Sequence, residues 1–501
     1  MNIKRAKEEI KDAILAYLYK NEYGEYEIPT MRQRPILLLG APGIGKTQIM
    51  EQIARECRIG LVSYTITHHT RQSAIGLPFI SEKTYGGECK HVTEYTMSEI
   101  VASIYDQMEL TGQKEGILFI DEINCVSETL APAMLQFLQC KTFGNHAIPK
   151  GWLIVAAGNP PEYNKSVREF DVVTMDRVKK IPVEPDFDAW KEYAYKENIH
   201  PAVISYLNTR PSYFYRMEST VDGRQFATPR GWEDLSRMIA VYEKLGKTVD
   251  REVVVQYIQY EKIAKDFANY LELYYKYQAD YQVEAIFRGE ISQQMVKKLA
   301  HASFDERLSV VGLLLAGCNR AFGRVQKARL RLERLLAAFG ECKPVVLGPQ
   351  CQQPVEFLED YRQRLEETFV KERTAGLLDR EEEHICRDLL QTFDELLLKL
   401  KKEDIQDGEA AFARMQEIFG QSKAVYETAY DEAGDALEKA FDFMEAAFTD
   451  GQEMVIFITE LNTGYDSIRF LQEYDCERYY RYNKELLFRE KRSELLRQID
   501  E

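Results

Sequence analysis

A glycine-rich run between a short apolar stretch and a helical pattern constrains the fold of this chain more than any other feature. The run is Gly40-Ala41-Pro42-Gly43-Ile44-Gly45-Lys46-Thr47, and it lies between apolar residues 36–39 and the helical pattern of residues 48–54. This spacing of glycines, a lysine and a hydroxyl residue is that of a phosphate-binding loop, which requires a strand before it and a helix after it. The run therefore predicts a strand, loop and helix built around a phosphate group.

The same loop predicts the ligands of the site, which we expect to be ATP and Mg²⁺. Glycines let backbone N–H groups turn toward phosphates, and the positive end of the following helix points at the same place. Lys46 is expected to reach the β- and γ-phosphates, and the Thr47 hydroxyl to coordinate Mg²⁺. The residues predicted to bind the nucleotide are Gly40, Pro42, Gly43, Ile44, Gly45, Lys46, Thr47, Gln48 and Asp121.

Short apolar runs alternate with longer helical patterns in the first part of the chain. The predicted strands are residues 36–39, 61–66, 117–120, 152–157 and 180–183. Each is short and almost continuously apolar, which is typical of parallel strands covered by helices on both faces. The sequence predicts an α/β nucleotide-binding domain over residues 1–186, with a five-stranded parallel sheet and an N-terminal helix.

Helical patterns replace the strand patterns after residue 186. We predict a helical lid over residues 187–266 and a large all-α region of long helices over residues 267–501. Glycine and proline cluster at residues 340–354, which predicts a loop or hinge there. In residues 385–400 the apolar positions recur at spacings of three and four and form one stripe. A bundle that buries this stripe is the favoured interpretation, and a stripe offered to a partner helix is the alternative.

Polar residues follow two further predicted strands. The apolar run 117–120 ends in Asp121 and Glu122, and buried strands seldom end in two adjacent carboxylates without a cation. Asp121 is expected to hold Mg²⁺ and Glu122 to orient and polarise the attacking water. Asn159 follows the run 152–157, at the edge where open α/β sheets bind ligands, and is expected to hold the water or the γ-phosphate. A turn asparagine before proline is the alternative interpretation of Asn159.

Two arginines complete the predicted catalytic set. Arg177 precedes the fifth predicted strand, and Arg230 follows Pro229 in the first turn of a lid helix. An arginine supplied to the γ-phosphate of a neighbouring subunit accelerates hydrolysis because it stabilises the charge of the transition state. Arg177 is the chosen candidate for this role, and Arg168 is the alternative. The structural interpretation of Arg177 is a local pair with Asp176. That of Arg230 is a solvated position at the start of a helix.

The order of these features resembles that of AAA+ ATPases. The run Asp121-Glu122-Ile123-Asn124, the following helix to residue 140, a hairpin at residues 141–150 and then Gly158-Asn159-Pro160 look like the MoxR branch of that superfamily, over residues 34–245. The resemblance implies that Lys46 and Thr47 serve the phosphate loop, Asp121 the metal, Glu122 catalysis, Asn159 sensor one, Arg177 the arginine finger and Arg230 sensor two.

The resemblance also implies an assembly and a partner. MoxR-type ATPases are chaperone-like hexameric rings that usually work with a von Willebrand A-domain protein. Val178 departs from the family, which often has phenylalanine at that position, and the long helical second half is outside the common core. The first departure bears on the choice between Arg177 and Arg168, and the second on the identity of the partner.

Composition favours a cytoplasmic protein with no membrane span and disfavours binding to nucleic acid. The formal net charge is −16, from 65 Lys and Arg against 81 Asp and Glu, so the average field repels phosphate backbones. The nine cysteines form no CxxC pair, which is typical of reduced thiols. The longest apolar stretch, residues 310–316, is far short of the ~20 residues that span a bilayer.

Several features permit more than one interpretation. His68-His69 without further ligands is a weak metal candidate. The loop 70–78 and the hairpin 141–150 are candidate ring-face segments, with an ordinary connecting hairpin as the alternative for the second. Tyrosines between residues 257 and 277 and at 479–482 are expected to pack in the core or at an interface rather than to stack on bases. The leading function is an ATP-driven remodelling enzyme; the alternatives are a slow nucleotide-switched binding module and, less favoured, a DNA-acting motor.

Overall fold

The computed structural model describes residues 1–68, 71–143, 145–163, 170–220, 223–348, 353–449 and 451–486. The strands of these residues, in chain order, are β1 (Ile36–Gly40), β2 (Gly60–Thr65), β3 (Pro78–Tyr85), β4 (Glu88–Tyr95), β5 (Gly116–Asp121), β6 (Thr142–Phe143), β7 (His146–Ala147), β8 (Trp152–Gly158), β9 (Lys179–Val183), β10 (Arg216–Thr220) and β11 (Gly223–Ala227).

The helices alternate with these strands at first and then follow one another. They are α1 (Ile3–Leu18), α2 (Lys46–Cys57), α3 (Arg71–Ile75), α4 (Glu99–Thr111), α5 (Ala131–Cys140), α6 (Val172–Arg177), α7 (Phe187–Lys196), α8 (Pro201–Thr209), α9 (Pro229–Lys244), α10 (Arg251–Tyr257), α11 (Glu261–Tyr281), α12 (Val283–Phe287), α13 (Gln293–Ala300), α14 (Phe304–Val346), α15 (Pro354–Thr374), α16 (Arg380–Lys402), α17 (Gly408–Phe448), α18 (Gln452–Leu461) and α19 (Tyr465–Glu473). Residues 477–486 are helical as well.

The predicted parallel sheet is present, with five strands in the order β2-β5-β8-β1-β9. Every pair in it is parallel. One face packs against the buried side chains of α4 and α5, and α2 contacts β2 and β5. The strand residues are almost continuously buried, as in β8, where all seven positions are buried. The predicted fold class, an α/β sheet with helices followed by a large all-helical region, is confirmed.

The register of the sheet brings the functional candidates to one edge. Leu39 pairs with Gly158, and Thr65 pairs with Asp121. Because the strands are parallel, the loop after β1, the acidic end of β5 and the residue after β8 all follow carboxyl ends of strands. The sheet topology therefore collects residues from three distant parts of the sequence.

The chain divides into two compact units. The first consists of Met1–Ala189 with Leu365–His384, and the second of Trp190–Arg364 with Ile385–Glu501. The first unit contains the five-stranded sheet, and the second contains the long helices. The predicted boundaries at residues 186 and 266 stay predictions.

The second unit buries the apolar stripes of its own helices. Helices α14 and α17 pack lengthwise. Ile385, Phe393, Leu396 and Leu400 of α16 are buried, as the bundle interpretation of the stripe predicts. Tyr270 and Tyr274 are buried too, which confirms their predicted place in the core.

Two exposed hairpins were not expected. Strands β3 and β4 pair antiparallel, and so do β10 and β11, the latter pair within a region for which only helices were predicted. Both ribbons carry mostly exposed and polar residues. They lack the apolar run or regular alternation on which sequence-based assignment of strands depends. The shorter pair β6 and β7 forms the hairpin expected at residues 141–150.

Helix α14 extends into the loop predicted at residues 340–354. The helix runs to Val346 with Pro344 inside it. Phe339, Cys342 and Val346 are buried, and this packing holds the last turns in helical form. Among the described residues, α14 alone is long and apolar enough to cross a membrane, and 67% of its apolar window is buried within the protein. That burial is typical of a core helix.

Candidate active site

The loop after β1 has the backbone conformation that a phosphate-binding loop requires. Gly43 and Gly45 have positive φ angles of 76° and 91°, in the left-handed region that favours glycine. Gly40 is confined differently, because a Cβ atom there would lie 2.5 Å from the carbonyl oxygen of Val183. Ile44 is buried beside Gly40 and anchors the loop on the domain. Helix α2 begins at Lys46, so its N-terminal N–H groups, including that of Gln48, are at the end of the loop.

Lys46 is buried at the centre of the candidate site, with 8% of its surface exposed. Its ammonium group donates hydrogen bonds to the carbonyl oxygens of Gly40 and Ala41, both at 2.8 Å. It donates a third, at 2.9 Å, to the side-chain oxygen of Asn159. These three oxygen acceptors hold the ammonium group at the end of the loop, where a phosphate-binding loop places its lysine.

The hydroxyl group predicted to bind Mg²⁺ lies beside the predicted metal carboxylate. Thr47 Oγ1 donates a hydrogen bond of 3.0 Å to Asp121 Oδ2. Asp121 Oδ1 accepts a bond of 2.8 Å from the backbone N–H of Glu122. Glu122 has a φ of 55°, a left-handed backbone that turns the chain away from β5 immediately after the carboxylate pair. Both carboxylates are partly buried at the end of the strand.

Asn159 is held by a residue for which the sequence predicts no role. Asn124, in the short 3-10 helix Ile123–Cys125, donates from Nδ2 to the backbone oxygen of Asn159 at 2.7 Å. Its Oδ1 accepts from the backbone N–H of Asn159 at 3.3 Å. Asn124 was visible in the sequence only as part of the run after β5. Its pairing with a residue 35 positions later depends on the sheet register, which the sequence alone does not show.

The predicted arginines lie outside this cluster of hydrogen bonds. Arg177 is exposed in the last turn of α6 and donates a hydrogen bond to the side-chain oxygen of Gln139 in α5. Asp171 caps α6 through the Thr174 N–H at 2.8 Å, and the hydrogen bonds from the Thr174 side chain and backbone lower the pKa of the Asp171 carboxyl. Arg168, the alternative finger, lies outside the described residues.

Arg230 belongs to the second unit. It is exposed in the first turn of α9, a helix capped by Thr228, whose hydroxyl accepts from the Gly231 N–H at 3.2 Å. The structure therefore brings together Lys46, Thr47, Asp121 and Asn159 and leaves both arginines exposed at the surfaces of their own units. For an arginine that acts on a neighbouring subunit, exposure is a requirement.

The weak metal candidate receives no support. His69, the second histidine of this candidate, lies outside the described residues. Gly144, in the hairpin expected at residues 141–150, also lies outside them. Within the described ranges, no group of three or more His, Cys, Asp and Glu residues is arranged to hold a metal ion. The Thr47–Asp121 pair is a different kind of site, because a nucleotide-bound Mg²⁺ takes only one or two protein ligands and the rest from phosphates and water.

The residues present fit both predicted ligands. A hydroxyl oxygen and a carboxylate oxygen 3.0 Å apart are the hard oxygen donors that Mg²⁺ prefers. The loop backbone at Gly40 leaves no room for a side chain, and its left-handed glycines let N–H groups face a phosphate. These observations match the chemistry of a magnesium nucleotide.

The match to a known protein family agrees with this geometry. Residues 35–178 match the family model described as AAA domain (dynein-related subfamily). No curated protein matches the chain. Two solved structures of mutants of RuvB from Thermotoga maritima are 14% and 15% identical, with TM-scores of 0.29 and 0.28. They cover 52% and 50% of this chain and 69% of theirs. The family match spans the strands and the loop that form the site, and residues 35–178 are therefore an AAA domain of the dynein-related subfamily.

Proposed function

We propose that this chain is a MoxR-type AAA+ ATPase that hydrolyses Mg-ATP at the interfaces between subunits of a ring and uses the cycle to remodel or mature a protein partner. The dynein-related subfamily includes the MoxR-type ATPases. The observation that carries the proposal is the meeting of Lys46 with Asn159 and of Thr47 with Asp121 at one edge of the sheet.

Each of these residues supports one part of ATP hydrolysis. The loop N–H groups and the Lys46 ammonium bind the phosphates and stabilise their negative charge. When bound, Mg²⁺ neutralises charge that develops on the β- and γ-phosphates. Thr47 and Asp121 are the residues that would hold it. Glu122 orients the attacking water, and Asn159 positions it or the γ-phosphate.

The exposure of one arginine supports the proposed ring. Arg177 is exposed in the AAA domain, as a residue that serves the site of a neighbouring subunit must be. We propose a hexamer, a von Willebrand A-domain protein as the partner, and a cytoplasmic location. The long helices of the second unit are proposed to act as the scaffold or partner dock.

Replacing Glu122 by glutamine tests the hydrolytic function. Glu122→Gln keeps the shape of the side chain and removes the carboxylate, so we expect ATP to bind and the rate of its hydrolysis to fall about a hundredfold or more. A loss of this size is typical when one group that stabilises the transition state electrostatically is removed. Glu109→Gln, at an exposed position of α4, is the control. Unchanged turnover in Glu122→Gln would overturn the mechanism.

Steady-state turnover separates this function from the alternatives. A wild-type rate well below about 0.1 per second would favour the nucleotide-switched binding module, since ordinary enzymes turn over near 10 per second. Stimulation by DNA that disappears at high salt would favour a DNA-acting motor.

A further inference from the structure

The side chain of Asn124 and the peptide group of Asn159 form a two-bond clasp between neighbouring strand ends. Asn124 donates to the Asn159 carbonyl at 2.7 Å and accepts from the Asn159 N–H at 3.3 Å. A primary amide is the side chain that offers a donor and an acceptor side by side, as a peptide group does. The clasp therefore fixes both the position and the direction of the backbone at Asn159.

The clasp is buried and closely packed. Asn124 is 4% exposed. A Cβ atom placed on Gly158 would lie 2.6 Å from Asn124 Oδ1 and 2.9 Å from its Cγ, so only glycine leaves room for the amide. Away from water, a hydrogen bond holds its geometry more strictly, and an unpaired donor or acceptor is costly. The clasp is therefore a rigid connection.

The clasp continues into the site through Asn159. The Asn159 side-chain oxygen accepts the 2.9 Å bond from Lys46, while its backbone is held by Asn124. Asn124 lies two residues after Glu122, within the turn whose Cys125 N–H donates to the Glu122 carbonyl at 2.8 Å. The turn that carries the catalytic carboxylate and the residue that faces the phosphates are thus joined by direct hydrogen bonds.

We propose that Asn124 is a positioning residue that fixes the Asn159 side chain against the γ-phosphate and aligns it with Glu122. This inference rests on the proposed ATPase function. Asn124 is buried and both atoms of its amide are bonded to the Asn159 backbone, so it acts through Asn159. Its loss therefore affects the hydrolytic step while the loop and Lys46 still bind ATP. Misplacement of a catalytic group by about 1 Å can cost a hundredfold in rate, so the clasp has a measurable effect.

Two different variants break the clasp. Asn124→Asp keeps the size of the side chain but replaces the donor by an oxygen that faces the Asn159 carbonyl. Gly158→Ala keeps the Asn124 side chain but displaces it, because the added methyl group takes up its space. We expect both to lower kcat by about ten- to a hundredfold and to change the KM for ATP and the affinity for a non-hydrolysable analogue by less than about threefold. Asn21→Ala removes an asparagine that accepts from Tyr23 and Glu25 N–H groups in a loop of the same unit, and is the control.

A double-mutant cycle distinguishes positioning from a general structural effect. If Asn124 acts through the Asn159 side chain, Asn124→Asp should have less than about a twofold effect on kcat in an Asn159→Ala background. Equal effects in both backgrounds would overturn the inference, and so would a rise in KM with kcat unchanged. Thermal unfolding of each variant shows whether a loss of folded protein explains the rate.

Amide hydrogen exchange tests the clasp independently of ATPase activity. The Asn159 N–H should exchange slowly in the wild type and rapidly in Asn124→Ala, and unchanged exchange would overturn the inference. A wild-type protein that binds ATP but does not hydrolyse it would overturn the proposed function, and with it the catalytic role of the clasp. The exchange result shows which of the two has failed.

Discussion

The ammonium group of Lys46 donates a 2.9 Å hydrogen bond to the side-chain oxygen of Asn159, 113 positions further along the chain. One residue begins the helix after the first strand of the sheet, and the other directly follows the strand beside it. The lysine predicted to bind phosphate and the amide proposed to sense it are therefore in direct contact.

Asn159 variants should separate nucleotide binding from hydrolysis. Asn159→Ala removes the amide and leaves Lys46 its two carbonyl partners, so we expect ATP to bind while kcat falls about a hundredfold. Asn159→Asp places a carboxylate beside the ammonium group, and the ion pair should weaken ATP binding about tenfold or more. Titration with a fluorescent ATP analogue and steady-state kinetics measure the two quantities. Equal affinity in the two variants would contradict the role of the Lys46–Asn159 contact.

Arg177 should be needed for hydrolysis only in the assembled protein. Arg177→Ala is expected to lower turnover by about a thousandfold without loss of nucleotide binding, the scale found for arginine fingers. The rate per subunit should rise with protein concentration in the wild type, with the mass measured in parallel in ATP and Mg²⁺. Arg5→Ala, at another exposed arginine of the same unit, is the control. A rate independent of assembly and unaffected by Arg177→Ala would leave Arg177 as a structural partner of Gln139.

Arg230 should contribute to the response of the lid helix to the nucleotide. If Arg230 serves as sensor two, the role that the resemblance implies, we expect Arg230→Ala to raise the KM for ATP and to lower kcat, each about tenfold. Lys244→Ala removes an exposed cation from the last turn of the same helix and should change neither value. If the two variants behave alike, Arg230 is a solvated residue at a helix start.

Lys141 should make the free energy of unfolding depend on pH in the alkaline range. It caps α5 with 4% of its surface exposed, and its ammonium group donates to the Thr30 carbonyl at 2.7 Å. Burial lowers the pKa of Lys141 from 10.5 to about 8. Between these values the unfolded chain binds more protons than the folded one, so the contribution of Lys141 to stability rises with pH, by roughly 3 kcal/mol in all.

Chemical denaturation at pH 7.5, 9 and 10 measures this effect. The stability of the wild type relative to Lys141→Met should increase across that range, and the same comparison with exposed Lys150→Met corrects for the loss of a lysine. A difference that stays constant with pH would show that Lys141 is not desolvated in the folded protein.

The buried ion pair of Lys191 and Glu460 should be sensitive to the loss of one charge. The atoms are 2.9 Å apart, the side chains are 9% and 6% exposed, and Tyr195 donates to the same carboxylate at 2.5 Å. Glu460→Gln keeps the shape of the side chain and removes the negative charge 2.9 Å from the buried ammonium group, which should cost about 3–5 kcal/mol of unfolding free energy.

The exposed pair of Lys423 and Glu427 provides the matched control for this change. Both side chains are more than half exposed, so Glu427→Gln should cost less than about 1 kcal/mol. Adding Lys191→Met to Glu460→Gln should recover part of the loss by removing the buried positive charge. Similar effects of the two glutamine substitutions would show that the Lys191–Glu460 pair is solvated.

The strands of the sheet and most residues of the candidate site could be predicted from the amino-acid sequence. The phosphate loop and the carboxylates at the end of β5 are contiguous runs whose spacing follows from local chemistry, and the buried strands are short and apolar because both of their faces are covered. The exposed hairpins lacked that signal, since ribbons in contact with water need no apolar run.

Tertiary structure decided what the local pattern leaves open. Helix α14 continues past Gly340 and through Pro344 because Phe339, Cys342 and Val346 are buried by neighbouring helices. The clasp of Asn124 on Asn159 exists because the sheet places β5 beside β8, and pairing between strands depends on contacts far apart in the sequence. Local chemistry selects the residues of the site, and the register of the sheet determines which of them meet.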